Sequence, residues 1–99
     1  MPNYIYAIEN TLDGKTYVGR TGYPESRWKA HQWMRGKSPI HVAIKKHGIE
    51  HFSFRVLDKC HGSLEAGLRE RFWTHLLEAN DPRFGYNNPR IYAVSDDNV

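Results

Sequence analysis

One cysteine in 99 residues, Cys60, has no partner for an internal disulfide. A disulfide-stapled scaffold is therefore excluded, and a reducing, intracellular and cytoplasmic setting is the expectation. Apolar runs reach only a few residues, as in Val42-Ala43-Ile44, so no segment spans a bilayer, and no signal-peptide core follows Met1-Pro2. There is no repeat, no low-complexity stretch and no Pro/Gly/Ser-rich linker. With 39% hydrophobic, 25% charged and 13% aromatic residues, the chain is neither a disordered tail nor a coiled coil. The length allows one domain, which buries enough surface only if nearly all of it folds together.

What is present is uneven charge. The net +3 hides a basic middle. Residues 15–59 carry ten Lys or Arg against Glu25, Glu50 and Asp58, while residues 1–14 and 60–99 are each acidic by two charges. His31, His41, His47 and His51 fall in the same basic segment, interleaved with Tyr23, Trp28 and Trp33. That pattern suits a phosphate backbone, and a merely solvated basic face accounts for it equally well.

The chain reads as β-β-α-α-β-α: an α+β domain with a small three-stranded antiparallel sheet flanked by helices. Tyr4–Ile8 and Lys15–Gly19 read as strands joined by a turn carrying Asp13-Gly14. A loop of even length pairs even positions of the first strand with odd positions of the second. Tyr6, Ile8, Tyr17 and Gly19 then share one face. Glu25 to Arg35 follows Pro24 and stops at Gly36, as a first helix would. Ser38 caps a second helix that opens on Pro39 and ends at Gly48. His51 to Leu57 alternates as a third strand. Ser63 caps a longer helix, Leu64 to Ala79, with Leu64, Leu68, Phe72 and Leu76 as its expected core stripe and Trp73 and Leu77 widening it. Beyond Asn80 the sequence reads as loop. The domain is placed at residues 1–90, with a short tail at 91–99.

Two positions carry chemistry on the residues alone. Arg27 and His31 lie four apart on one helix face, where a permanently charged planar fork could meet a phosphate or simply pair on the surface. Glu70 has Ala66 and Trp73 one turn away and Leu77 two turns on. A carboxylate at the edge of an apolar stripe needs a metal ion or a distant cation. A histidine zinc site, for example His47 with His51, lacks a second ligand pair at fixed spacing. Cys60 lacks an activating neighbour.

The sequence resembles the GIY-YIG nuclease superfamily. The elements that carry the resemblance are Tyr4-Ile5-Tyr6, then Tyr17-Val18-Gly19 after ten residues, Arg27-Trp28 with His31, Glu70 with Trp73, and Gly85-Tyr86-Asn87. It is similar in particular to the catalytic domain of phage-type homing endonucleases, including Glu9-Asn10-Thr11-Leu12. One departure is Tyr4, where the family has glycine. The resemblance implies hydrolysis of DNA with one Mg²⁺ or Mn²⁺ per active site. Tyr6 and Tyr17 would act on the attacking water, and a phenol used as base would need its pKa lowered by a cation. Arg27 would stabilise phosphate charge, His31 would contact phosphate or assist proton transfer, Glu70 would be the sole protein metal ligand, and Asn87 would order the site. Arg20, Trp28, Lys29, His41 and Lys45 are the expected DNA contacts. The expected state is a monomer of low intrinsic specificity, pairing transiently on DNA or drawing specificity from a partner, because Asp96 and Asp97 make the tail acidic. A phage or bacterial source fits the same resemblance. A non-catalytic nucleic-acid-binding module that retains the fold is the alternative.

Overall fold

The computed structural model describes residues 2–33 and 36–87. Expectations for Arg35, for the domain end at residue 90 and for the tail with Asp96 and Asp97 lie outside them. The element order is β1 (Pro2–Asn10), β2 (Thr16–Thr21), α1 (Pro24–Trp33), α2 (Pro39–His47), a 3₁₀ turn (Ile49–His51), β3 (Phe52–His61) and α3 (Ser63–Leu76). The sheet is antiparallel with order β2-β1-β3. Among the described residues no helix is long and apolar enough to cross a membrane.

The hairpin pairs Tyr6 with Gly19 and Ile8 with Tyr17, so the expected parity holds. One face of the sheet carries Tyr6, Ile8 and Phe52, packed with Ile40, Ala43 and Ile44 of α2 and with Trp28 of α1 against the cluster. The opposite face carries Ile5, Val18 and Cys60 beneath Ala66, Trp73 and Leu77. The sheet thus separates α1 and α2 from α3.

β3 serves both faces through a bulge. Tyr6 pairs with Val56 and Ile5 with Asp58, which leaves Leu57 as the extra residue. Before it, Phe52 and Phe54 point toward α1 and α2. After it, the parity switches and Asp58 faces α3, accepting hydrogen bonds from Trp73 Nε1 (3.1 Å) and Arg69 Nη1 (3.2 Å). The expected third strand stopped at Leu57 because alternation breaks there.

The expected stripe of α3 is wrong. Leu64, Leu68, Phe72 and Leu76 are 80%, 60%, 53% and 59% exposed. The buried side is Ala66 and Thr74, with Trp73 and Leu77 half-buried. Small residues face the sheet and let the helix approach closely, while the bulky ones point away. Gly62, not Ser63, is the N-cap, and the helix ends at Leu76 rather than Ala79.

The segment after α3 is not free loop. Thr16 N–H donates to Phe84 O and Tyr86 N–H donates to Thr16 O, giving Gly85 a bridge to the outer edge of β2. Gly85 runs so close that a Cβ there would collide with the Ala79 backbone.

Candidate active site

Tyr6 is 1% exposed and its ring lies across β2. A Cβ at Gly19 would overlap the Tyr6 hydroxyl and Cζ, so only glycine fits under the ring. Phe54 stacks on the other side at 5.0 Å, and Trp28 stacks on Phe54 at 5.3 Å. Tyr17 lies at 6.2 Å from Tyr6, and His31 meets both tyrosines edge-on at 5.8 and 5.6 Å. The even-odd parity of the hairpin and the Arg27–His31 helix spacing therefore converge on one cluster, as the sequence implied.

Its protonation differs from expectation. Burial is the main effect on Tyr6 and raises its phenol well above the ordinary tyrosine range. A charge on Tyr17 would raise it further, and the hydrogen bond and charge of Arg27 oppose the rise without reversing it. The cation is present, but desolvation wins, so the expected lowering does not occur. His31 is 1% exposed and lowered to about 4, by burial first and then by the Arg27 and His41 charges. It is a neutral imidazole near pH 7, with Nε2 hydrogen-bonded to Tyr6 OH at 2.8 Å and Nδ1 to His41 Nε2 at 3.1 Å. Both ring nitrogens of His31, expected to contact phosphate or assist proton transfer, are hydrogen-bonded within the domain. His41, expected to contact DNA, has its Nδ1 2.6 Å from Ser38 Oγ. Arg27 is the permanent cation of the cluster.

Glu70 comes from the other face. It is half-buried, and Arg20, projecting toward α3 from the edge strand, brings Nε within 3.9 Å of it. The expected distant cation is therefore Arg20. Its Nη1 donates to Ser63 O at 3.2 Å, so Arg20, expected to contact DNA, is tethered within the domain. Burial raises the Glu70 carboxyl pKa, and Arg20 only partly offsets it. This incompletely neutralised acid suits a hard cation. Among the described residues no group of three or more His, Cys, Asp or Glu could hold a metal, so phosphate and water would supply the remaining ligands, as Mg²⁺ tolerates.

Asn87 orders the edge strand by a two-point clamp. Its Oδ1 accepts from Val18 N–H and its Nδ2 donates to Val18 O, both at 2.8 Å. Val18 lies between Tyr17 and Gly19, so the clamp fixes the strand under Tyr6. Tyr86 OH accepts from Asn10 Nδ2 at 3.0 Å. Each residue of Gly85-Tyr86-Asn87 thus pins the chain to the hairpin. Lys29 and Lys45 stand exposed on α1 and α2, free for the solvent-side role expected of them, while Trp28 is half-buried in the aromatic stack. Sequence reading missed Ser38 beyond its cap position, the stacking role of Phe54 and the anchor Asn10. The i, i+3 spacing of Ser38 and His41 was the one available signal.

The sheet, the clustered tyrosines under a fixed cation and the lone acid across the edge strand define a nuclease-type catalytic domain. A model of the GIY-YIG catalytic domain matches residues 2–87, and the chain belongs to that family. It is 35% identical over 81 residues, 78% of this chain, to an MSV199 domain-containing protein, 146R, of Invertebrate iridescent virus 6. It is also 35% identical over 94 residues, 88% of this chain, to intron-associated endonuclease 1 of Enterobacteria phage T4. The chain spans only 31% and 37% of those relatives' lengths. Two solved structures of the catalytic domain of the intron endonuclease I-TevI, one of them a mutant, superpose with a TM-score of 0.71 at 30% identity. The match covers 88% and 87% of this chain and 93% and 97% of theirs.

Proposed function

We propose that this chain is the catalytic module of a metal-dependent DNA endonuclease, monomeric and of low intrinsic sequence specificity. The observation that carries it is the division of charge in the site. Arg27 is always cationic, His31 is held neutral beside it, and a half-buried Glu70 lacks full neutralisation. A module that only binds needs no desolvated acid.

In the reaction an oxygen of water bonds to phosphorus and a P–O bond to deoxyribose breaks. Tyr17 and the buried Tyr6 orient the attacking water. Arg27 faces the negative charge that grows on the phosphate oxygens, where its planar fork gives two donors. Glu70 would hold the divalent ion, which when bound supplies charge neutralisation at the phosphate and leaving oxygen. Asn87 keeps β2 in register. Lys29 and Lys45 meet phosphates, and contacts of that kind carry position but no sequence, which supports the low specificity.

The test is plasmid DNA with Mg²⁺ or Mn²⁺ and the 99-residue protein. Nicking that EDTA abolishes is expected. Arg27→Ala should lower single-turnover cleavage at least about a hundredfold while DNA binding weakens less than about fivefold. Equal losses in both would favour a binding module instead.

A further inference from the structure

The three hydrogen bonds that engage the ring nitrogens of His31 and His41 form one continuous path. It begins at Tyr6 OH and runs through His31 Nε2 and Nδ1, His41 Nε2 and Nδ1, and Ser38 Oγ, at 2.8, 3.1 and 2.6 Å. Exposure rises along it: Tyr6 and His31 are 1% exposed, His41 is half-buried and Ser38 is exposed. We propose that His31, His41 and Ser38 form a proton relay joining the buried Tyr6 hydroxyl to solvent at the N-terminus of α2. The proposal rests on the nuclease reading.

Three features support a relay over a simple tether. Ser38 is the N-cap of α2 with extended backbone (φ −65°, ψ 149°), yet its hydroxyl makes no capping bond and turns to His41. A helix normally uses that oxygen for its own free N–H groups. Next, a Cβ at Gly36 would come within 3.3 Å of His41 Nδ1, so the bare backbone there leaves the exit uncrowded. Finally, the path needs no charged imidazole. Arg27 from α1 and Tyr17 from β2 face the buried end, and Arg27 opposes a second cation there.

The transfer balances without a charged intermediate. The attacking water gives a proton to the Tyr6 oxygen as the Tyr6 proton passes to His31 Nε2. The His31 Nδ1 proton passes to His41 Nε2, the His41 Nδ1 proton to Ser38 Oγ, and the serine proton to bulk water. Each imidazole exchanges one tautomer for the other. After product leaves, the reverse shift takes one proton from bulk water at Ser38 and releases one from the Tyr6 oxygen to the water that refills the site, which restores both. A phenol that burial makes reluctant to ionise can thereby accept a proton without first becoming a phenolate.

The test uses the whole 99-residue chain with plasmid DNA and Mg²⁺ under single-turnover conditions. His41→Gln retains an acceptor for His31 and a donor for Ser38, so the fold holds, but an amide does not exchange tautomers. Its cleavage should fall at least about tenfold, the low end for a proton-transfer group, with DNA binding unchanged. His41→Ala should fall similarly and be restored by added imidazole. It should not be restored by 1-methylimidazole, which has nearly the same shape but no N–H to pass on. Wild-type rates in His41→Gln, or equal rescue by both azoles, would overturn the relay while the nuclease reading stands. A wild-type chain that leaves plasmid uncut would overturn both.

Discussion

The packing of Tyr6 over Gly19 makes a steep prediction. In Gly19→Ala the new Cβ would sit 2.9 Å from Tyr6 Cε2 and closer still to Cζ and the hydroxyl, against at least 3.4 Å for ordinary contact. The ring would have to move by roughly 1 Å. It cannot swing aside, because Phe54 stacks on it at 5.0 Å and His31 closes its end. Overpacking of this kind costs about 1–3 kcal/mol. A displacement of that size also stretches the 2.8 Å bond to His31 beyond hydrogen-bond range, adding about 1 kcal/mol. The expected destabilisation is about 2–4 kcal/mol, a large share of the roughly 5–15 available to a domain. Urea unfolding measures it, with cleavage followed in parallel. Adding Tyr6→Phe supplies the control. Alone it leaves His31 Nε2 without its partner, at a cost of about 1 kcal/mol. In the Gly19→Ala background it removes the atom that collides most severely and should be neutral or stabilising, a coupling of about 1 kcal/mol or more. An unfolding free energy for Gly19→Ala within about 0.5 kcal/mol of wild type would refute the placement of the ring.

Three further outcomes are expected. The Glu70 carboxyl pKa is raised in the fold by burial, so its contribution to stability is present below the unfolded carboxylate pKa and lost as pH rises through the folded value. Glu70→Gln should therefore be as stable as wild type or more so at pH 7 in metal-free buffer, with the difference shrinking toward pH 4, and should be inactive. A loss of stability at pH 7 would show instead that its pairing with Arg20 outweighs desolvation. Asn87→Ala removes both bonds to Val18 and should lower stability by about 1–3 kcal/mol, with faster hydrogen exchange in β2 than in β3. Leu68→Lys on the exposed side of α3 should change stability by no more than about 0.5 kcal/mol, whereas Ala66→Leu on the sheet side should cost about 1–3 kcal/mol.

The face-sharing of Tyr6 and Tyr17 was legible because it depends on strand parity alone, which survives any register shift by two. The Ser38-Pro39 start of α2 was legible because proline and the cap are local. The ends of β3 and the packing of α3 were not, and for connected reasons. A bulge at Leu57 switches the faces of Asp58 and Cys60, and no periodicity continues across such a switch. The side of α3 that meets the sheet is set by how closely the helix must approach Ile5, Val18 and Cys60, which Ala66 permits and a leucine there would prevent. α3 also has large apolar side chains on its outer side, so hydrophobic pattern alone offered two faces and favoured the bulkier one.

That same arrangement explains why single-residue reasoning named residues that the fold brings together but not their protonation. The paired tyrosines, Arg27 and His31 lie on one face of the sheet, and Glu70 reaches the edge strand from the other. The two groups meet at β2, one of the sheet's two edge strands, and an edge strand has one side left unpaired by the sheet. The 84–87 segment closes that edge, by backbone bonds at Thr16 and by the Asn87 side chain at Val18. Glycine at position 19 then lets Tyr6 lie across the strand and reach His31. The geometry of the tyrosines is therefore held from beyond α3, by residues that make none of the expected contacts with substrate. The resemblance to the family named Asn87 as a residue that orders the site, without showing how. Its two bonds to a single backbone unit show it to be the piece that fixes where Tyr17 and Gly19 stand.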